Sequence, residues 1–300
     1  MSHTWIVGAL FATLAAIFNA TVGVMSVNLF DNGLAPQSAA FLKCVIALTI
    51  LLVYILSFKR KEFKHKLTTK WKPLAVCAFL GFFMLYAFET KAYDTLNVAV
   101  VVFILFGSSM MTTFILSCLL DRRMLKGKEL VSIVLSIIGL SLIFSYDLGG
   151  NSLSGLLNAV ISGVGYGAFL VLSKRYNIGS CIVTLTSLMM FGTLYLFIYW
   201  LISPSDISLG LIVESSVYLM ILAILPTIGG FYCTIKALSL IKSESVQLIE
   251  LSEPVFAIVF SFLFLSQLMT LSQALGGVII IAAILVHEVE STFFKRALSN

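Results

Sequence analysis

Glu250 and Glu253 stand three residues apart in LIELSEPVFAIVF, residues 248–260, a run otherwise apolar enough for lipid, with Pro254 beside the second. Carboxyl groups in such surroundings can carry a proton, hold a metabolite's ammonium or bind a small cation. A charge at the bilayer centre costs at least about 2.5–3.5 kcal/mol, so these side chains are expected to face a water-filled cavity or a partner, never acyl tails. On a helical wheel Ser243, Gln247, Glu250, Pro254 and Ser261 share one stripe, with Glu253 about 60° from Glu250, and the stripe reads as cavity wall. Proline lacks an N–H and crowds the carbonyl four residues earlier, so Pro254 is expected to free the Glu250 backbone oxygen for water, a cation or substrate. The structural alternative is a carboxyl hydrogen-bonded to a neighbouring helix.

Lys43 is the complementary oddity, a cation inside an apolar run. It can neutralise a glutamate, receive a substrate carboxylate, or snorkel its stem to the outer face. Asn19, Tyr86 and Tyr166 are polar or amphipathic residues in apolar runs and candidate cavity linings, though each also suits plain packing. Glu89, beside Lys91, reads as half of an interfacial ion pair.

The elements that must position these residues are apolar helices. The chain has 300 residues, 60% hydrophobic and only 11% charged, far from soluble composition. Apolar runs of about 20 residues recur throughout, each long enough to cross a hydrocarbon core of about 30 Å, and none alternates with the period of two that a membrane barrel requires. Ten spans are expected, at 4–27, 35–58, 73–93, 95–120, 130–147, 154–173, 179–203, 215–235, 244–266 and 270–289. The first lacks a basic leader and reads as a retained span. From Glu244 at the cytoplasmic face, Glu250 would lie roughly 10 Å deep and Glu253 roughly 15 Å.

Orientation follows from the basic residues, which stay on the cytoplasmic side. With both termini inside, all of the 19 Lys and Arg except Lys43 and Lys91 fall in or beside cytoplasmic connections. The net charge of +5 therefore reflects topology and the anionic lipid surface, and calls for no nucleic-acid partner. An inner-membrane, multi-pass location is expected.

Sliding the sequence on itself gives a gapless match at an offset of 145, from Lys91-Ala92 on Lys236-Ala237 to Leu130 on Leu275. Two five-span halves, residues 1–147 and 154–300, are expected, the second inverted because five is odd. The offset pairs Gly81 with Pro226, and helix interruptions at corresponding places in two halves point to a transporter's central site. Close packing through small residues is the alternative, and it also covers Gly163 and Gly167.

Other chemistries find little support. Cys44, Cys77, Cys118, Cys181 and Cys233 lie singly in separate apolar runs and read as small buried side chains. His3, His65 and His287 lie at ends or loops, so no metal or proton-relay cluster forms at depth. An integral-membrane enzyme would need such a set. No Walker motif or other cofactor signature is present.

The stretches KALSLIKSESVQLIELSEPVFAIVFSFLFLSQ (236–267) and AAFLKCVIAL (39–48) resemble the EamA-type members of the drug/metabolite transporter superfamily, and the likeness runs along nearly the whole chain. Lys43 stands where that family usually has arginine, and Glu253-Pro254 matches its Glu-Pro or Ser-Pro position. The resemblance implies ten helices in two inverted halves around a central cavity, and uptake or export of small metabolites. Arg122, Gln267 and Ser109 depart from its pattern. The combined expectation is an all-α integral membrane protein: a secondary transporter moving a small metabolite, an amino acid or related compound among the candidates, by alternating access, with H+ or Na+ as a possible coupling ion and no cofactor. The rivals are a passive channel or scaffold and, less favoured, a membrane enzyme.

Overall fold

A backbone in lipid must satisfy its own N–H and C=O groups, and in the computed structural model the described residues (3–122, 124, 127–144, 150–205, 208–250 and 252–283) form helices and no strand. Seven helices are long and apolar enough to cross a membrane: His3–Asp31, Pro36–Phe58, Arg60–Tyr93, Val98–Asp121, Leu153–Arg175, Ile182–Ile202 and Ser216–Leu240. Three shorter apolar helices, Leu130–Leu142, Glu253–Leu265 and Leu271–Ala283, fall in the remaining expected spans. The connection around residue 147 and the basic residues Arg123, Lys126, Lys295 and Arg296 lie outside the described residues.

Several long helices change character along their length. The first is α1 (His3–Asn19) and α2 (Thr21–Asp31), parted by a one-residue turn at Ala20. After α3 (Pro36–Phe58) comes α4 (Arg60–Ala78), which passes through a π-helical stretch, Phe79–Met84, into α5 (Leu85–Tyr93). Next are α6 (Val98–Asp121), α7 (Gly127–Phe144), α8 (Gly150–Arg175), α9 (Ile182–Ile202), the short α10 (Leu209–Glu214) and α11 (Ser216–Leu222). A second π-helical stretch, Ala223–Gly230, leads into α12 (Phe231–Leu240); α13 (Ser243–Glu250), α14 (Glu253–Leu265) and α15 (Leu271–Ala283) follow.

Residues 59–72, expected as a cytoplasmic connection, are instead the helical start of the third span, bent at Lys70 (φ −124°, ψ 24°). Phe63 holds this extension down by packing with Ile55 and Val183, and Leu67 joins them. Lys66 and Lys70 donate to the carbonyls of Ile178 and Asn177, satisfying the turn after α8.

The centre is α6 against α8, the most extensive helix pair among the described residues. Small residues permit it. A Cβ on Gly163 would stand 3.0 Å from the Leu105 carbonyl carbon, and one on Gly167 the same distance from that of Ser109, so the two backbones meet without side chains between them. Gly165 faces the other way, toward Met84 and the Leu80 carbonyl. Four cysteines are buried, but Cys181 is exposed because it caps α9 instead of lying within it.

Candidate substrate site

The two expected interruptions are not breaks. Gly81 and Pro226 each lie inside a π-helical stretch through which the helix continues. Proline removes one N–H and pushes away the carbonyl of the preceding turn, and a wider turn absorbs both with little bending. Gly81 leaves room for the Phe169 ring, which a Cβ there would strike. At the offset of 145, residues 79–84 map onto 224–229, inside the second stretch. A widened turn shifts the phase of every later residue; Phe231 follows directly on the second stretch, and Tyr86 stands two residues after the first.

Pro254 acts differently from a proline within one continuous helix. It stands at the first turn of α14, where a missing N–H costs nothing, while α13 has already ended at Glu250. The single stripe from Ser243 to Ser261 is therefore divided between two helices. Glu253 occupies the first turn of α14, and the positive end of that helix favours a carboxylate there.

These irregularities converge on one internal chamber. Asn19, at the end of α1, Tyr86 and Glu89 on α5, Tyr166 on α8, Phe231 on α12 and Glu253 on α14 line it, with Leu105 and Phe106 of α6 as apolar floor. It is narrow: a water molecule's centre can move in about 20 Å³, enough for roughly one water. The open, water-filled vestibule expected from the sequence is thus a narrow chamber in this conformation, yet its carboxyl groups face inward and not toward lipid.

One wall is aromatic. The Phe82 and Phe231 rings lie 4.2 Å apart, and Tyr86 meets Phe231 edge-on at 5.6 Å with an interplanar angle of 76°. Tyr166 meets Phe106 edge-on at 6.4 Å. Two carboxyl groups, Glu89 and Glu253, share the chamber and act on each other electrostatically, and the Asn19 side chain reaches Glu253. Asn19 is held by close packing on Gly230, where a Cβ would collide with its side-chain oxygen.

Glu250 is placed differently from expectation. Its side chain is fully buried but stands behind the lining, where the Tyr166 hydroxyl donates to Oε2 and Thr234 Oγ1 donates to Oε1 at 2.7 Å. That is the hydrogen-bonded carboxyl of the structural alternative. Gln247 lies on α13, and its side chain is outside the described residues.

Lys43 does not snorkel. It is 1% exposed, its ammonium sits 4.1 Å from the centre of the Tyr86 ring, and it has no hydrogen-bond acceptor among the described residues. Glu89 is the carboxylate that acts on it most strongly. Glu89 is also not the surface ion pair expected with Lys91: it is 4% exposed and accepts a 3.0 Å bond from the Tyr93 hydroxyl, whereas Lys91 points to the surface. The signal for this was present. Tyr86, Glu89, Thr90 and Tyr93 recur at helical spacing as a polar stripe on α5, and all four are buried.

The chain matches the EamA-like transporter family over residues 6–145 and again over 153–287. An uncharacterized transporter of Clostridium kluyveri is 25% identical over 290 residues, covering 93% of this chain and 92% of that one. Another, of Archaeoglobus fulgidus, is 25% identical over 258 residues, covering 84% and 87%. A protein of known crystal structure superposes with a TM-score of 0.67 at 16% identity, over 98% of this chain and 99% of that one, a likeness of fold alone. With multiple apolar helices gathered around a polar chamber, and with two family matches that together span most of its length, this multi-pass membrane protein belongs to the EamA-like transporter family.

Proposed function

We propose that this protein is a secondary transporter that moves a small metabolite by alternating exposure of the chamber between Glu89 and Glu253. The observation that carries the proposal is a pair of buried carboxyl groups from separate helices facing one aromatic-walled chamber. Two carboxylates that close in a poorly hydrated site cannot both stay charged unless a cation joins them, so the chamber suits a cargo ammonium, a proton or Na+. Aromatic faces add to the attraction for an ammonium.

The shorter helices α7, α14 and α15 complete ten spans, with α13 lengthening the ninth. Two inverted halves, 1–147 and 154–300, are supported by the paired family matches and by π-helical stretches at the same offset. The distribution of basic residues supports placing both termini on the cytoplasmic side, and the proposed location is an inner membrane.

Lys43 gives the site a positive pole. Its ammonium has three donors and no acceptor among the described residues, and the Thr90 hydroxyl is likewise buried without a partner there. A cargo carboxylate would meet these groups while its amine meets Glu253 and Asn19, which favours an amino acid or a related zwitterion. A passive channel fits less well, because the chamber leaves room for only about one water.

Counterflow in proteoliposomes against a panel of amino acids, amines and carboxylates tests the assignment. Saturable exchange of an amine-bearing compound, lost in Glu253→Gln while folded protein persists, is the expected result. Exchange at the wild-type rate by that variant, or flux that never saturates for any compound, would overturn it.

A further inference from the structure

We infer that the chamber opens through the seam where α2, α3, α5 and α11 meet, and that Ser26, Thr90 and Ser215 are polar walls of that passage. The inference rests on the transport reading above, to which it adds the route. In the seam α2 packs on α3, α5 and α11, and α3 packs on α5 and α11. It lies at the end of the bundle away from Cys181: α9 begins there, and near its far end Trp200 donates to Ser38 at the start of α3. Helical spacing carries the chamber lining into the seam. Asn19 and Val22 line the chamber, and Ser26 follows one turn beyond Val22; Tyr86 and Glu89 line it, and Thr90 follows one turn beyond Tyr86. Gly23 lets α2 approach α5, since a Cβ there would stand 3.0 Å from the Tyr93 ring. Ser215 stands at the head of α11.

A permanently packed seam would not select these hydroxyls. Thr113, Ser162 and Ser187, equally buried, each donate to the carbonyl three or four residues back, the usual resort of a hydroxyl in an apolar helix. Ser26, Thr90 and Ser215 are buried and make no hydrogen bond among the described residues. A buried hydroxyl without a partner is destabilising, and water entering the seam would satisfy all three.

The other end of the chamber is closed differently. There Glu250 accepts from Tyr166 and Thr234, and Lys174 donates to the Ile241 carbonyl. A Cβ on Gly8 would stand 3.2 Å from that of Leu240, so α1 fits tightly against the end of α12. The seam is the weaker closure. Leu29, Leu34, Leu219 and Leu222, all fully buried in the core that also holds Tyr86 and Tyr93, keep it dry in this conformation. Their separation would bring water past Ser26 and Thr90 to Asn19 and Tyr86.

Thiol accessibility of the full-length protein in sealed membrane vesicles tests the route, with a membrane-impermeant methanethiosulfonate as the probe and peptide mass spectrometry to locate each modified residue. Ser26→Cys and Thr90→Cys should react from the face opposite to the one that exposes the native Cys181. Adding Thr90→Val to Ser26→Cys removes an unpartnered hydroxyl from the closed seam and should slow the reaction about fivefold. Ser132→Cys, on α7 and likewise buried without a partner but away from the seam, should stay unreactive. Silence of both seam variants from either face, reaction from the Cys181 face, an unslowed reaction with Thr90→Val, or equal reaction of Ser132→Cys would each overturn the inference. Labelling needs no cargo, so its failure is distinct from a failure of counterflow: a protein that exchanges cargo while its seam stays silent loses this route alone.

Discussion

Thr234 Oγ1 donates to Glu250 Oε1 at 2.7 Å while the Tyr166 hydroxyl holds the other oxygen, so one carboxyl ties α13 to both α12 and α8. This bolt fixes the end of α13 directly before the turn that swings Glu253 into the chamber. A hydrogen bond to a buried carboxylate contributes about 1.5–3 kcal/mol, and leaving one carboxylate oxygen unmatched costs a similar amount. Thr234→Val is therefore expected to lower the unfolding midpoint in detergent by an amount equivalent to about 2 kcal/mol. An unchanged midpoint would show that the bond is not formed in the folded protein.

Glu89 should matter for transport as much as Glu253 does. Both carboxyls face the chamber, and Glu89 is held in place by the Tyr93 hydroxyl at 3.0 Å. Glu89→Gln is expected to cut kcat/KM in counterflow at least tenfold, a loss of about 1.4 kcal/mol in transition-state binding, with the unfolding midpoint kept. Tyr93→Phe should give a smaller loss, since it removes the support and leaves the acid. Normal exchange by Glu89→Gln would return Glu89 to a structural role.

How much of this was readable beforehand depends on the residue. The helical class and the seven long apolar helices were legible because each apolar run must satisfy its own backbone, a constraint that composition alone reveals. A helix irregularity at residues 81 and 226 was legible from their common offset, but the π-helical form was not, because a widened turn leaves no mark in residue type. Glu89 was misread because Lys91 is its neighbour in sequence, yet residues two apart on a helix point to different sides. The helical start at residues 59–72 was hidden by its charge; only Phe63 and Leu67, four apart, betray the face that packs on Ile55 and Val183.

The second π-helical stretch places Phe231 against Phe82 and Tyr86. Pro226→Ala restores an N–H and removes the ring clash, so the helix should relax toward regular geometry and become more stable, an interior proline costing up to about 3 kcal/mol. The same relaxation turns Phe231 away from the chamber. The expected outcome is a raised unfolding midpoint with counterflow reduced several-fold, and a variant with wild-type exchange would separate the π turn from the site.

The α6–α8 contact should tolerate no added bulk at Gly163, whose missing side chain lies over the Leu105 carbonyl and the Ser108 hydroxyl. Those atoms are backbone or firmly bonded, since Ser108 Oγ already donates to the Ile104 carbonyl at 2.7 Å. Gly163→Val is expected to destabilise by about 1–3 kcal/mol or more through forced separation of the helices. Gly127→Ala, where a Cβ would meet nothing within 4 Å, is the control and should be neutral in the same thermal assay.

Lys43 offers the sharpest separation of stability from function. A buried ammonium with no acceptor is destabilising, and its attraction to the Tyr86 ring at 4.1 Å offsets the desolvation only in part. Methionine has nearly the same length and no charge, so Lys43→Met should fill the space and raise the unfolding midpoint. If Lys43 exists to receive a cargo carboxylate, that more stable variant should lose exchange of zwitterions at least tenfold while exchange of simple amines falls much less. A stabilised variant with both kinds of exchange intact would remove the positive pole from the site, and a destabilised one would mean that Lys43 and Glu89 are a structural pair whose separation leaves the acid uncompensated.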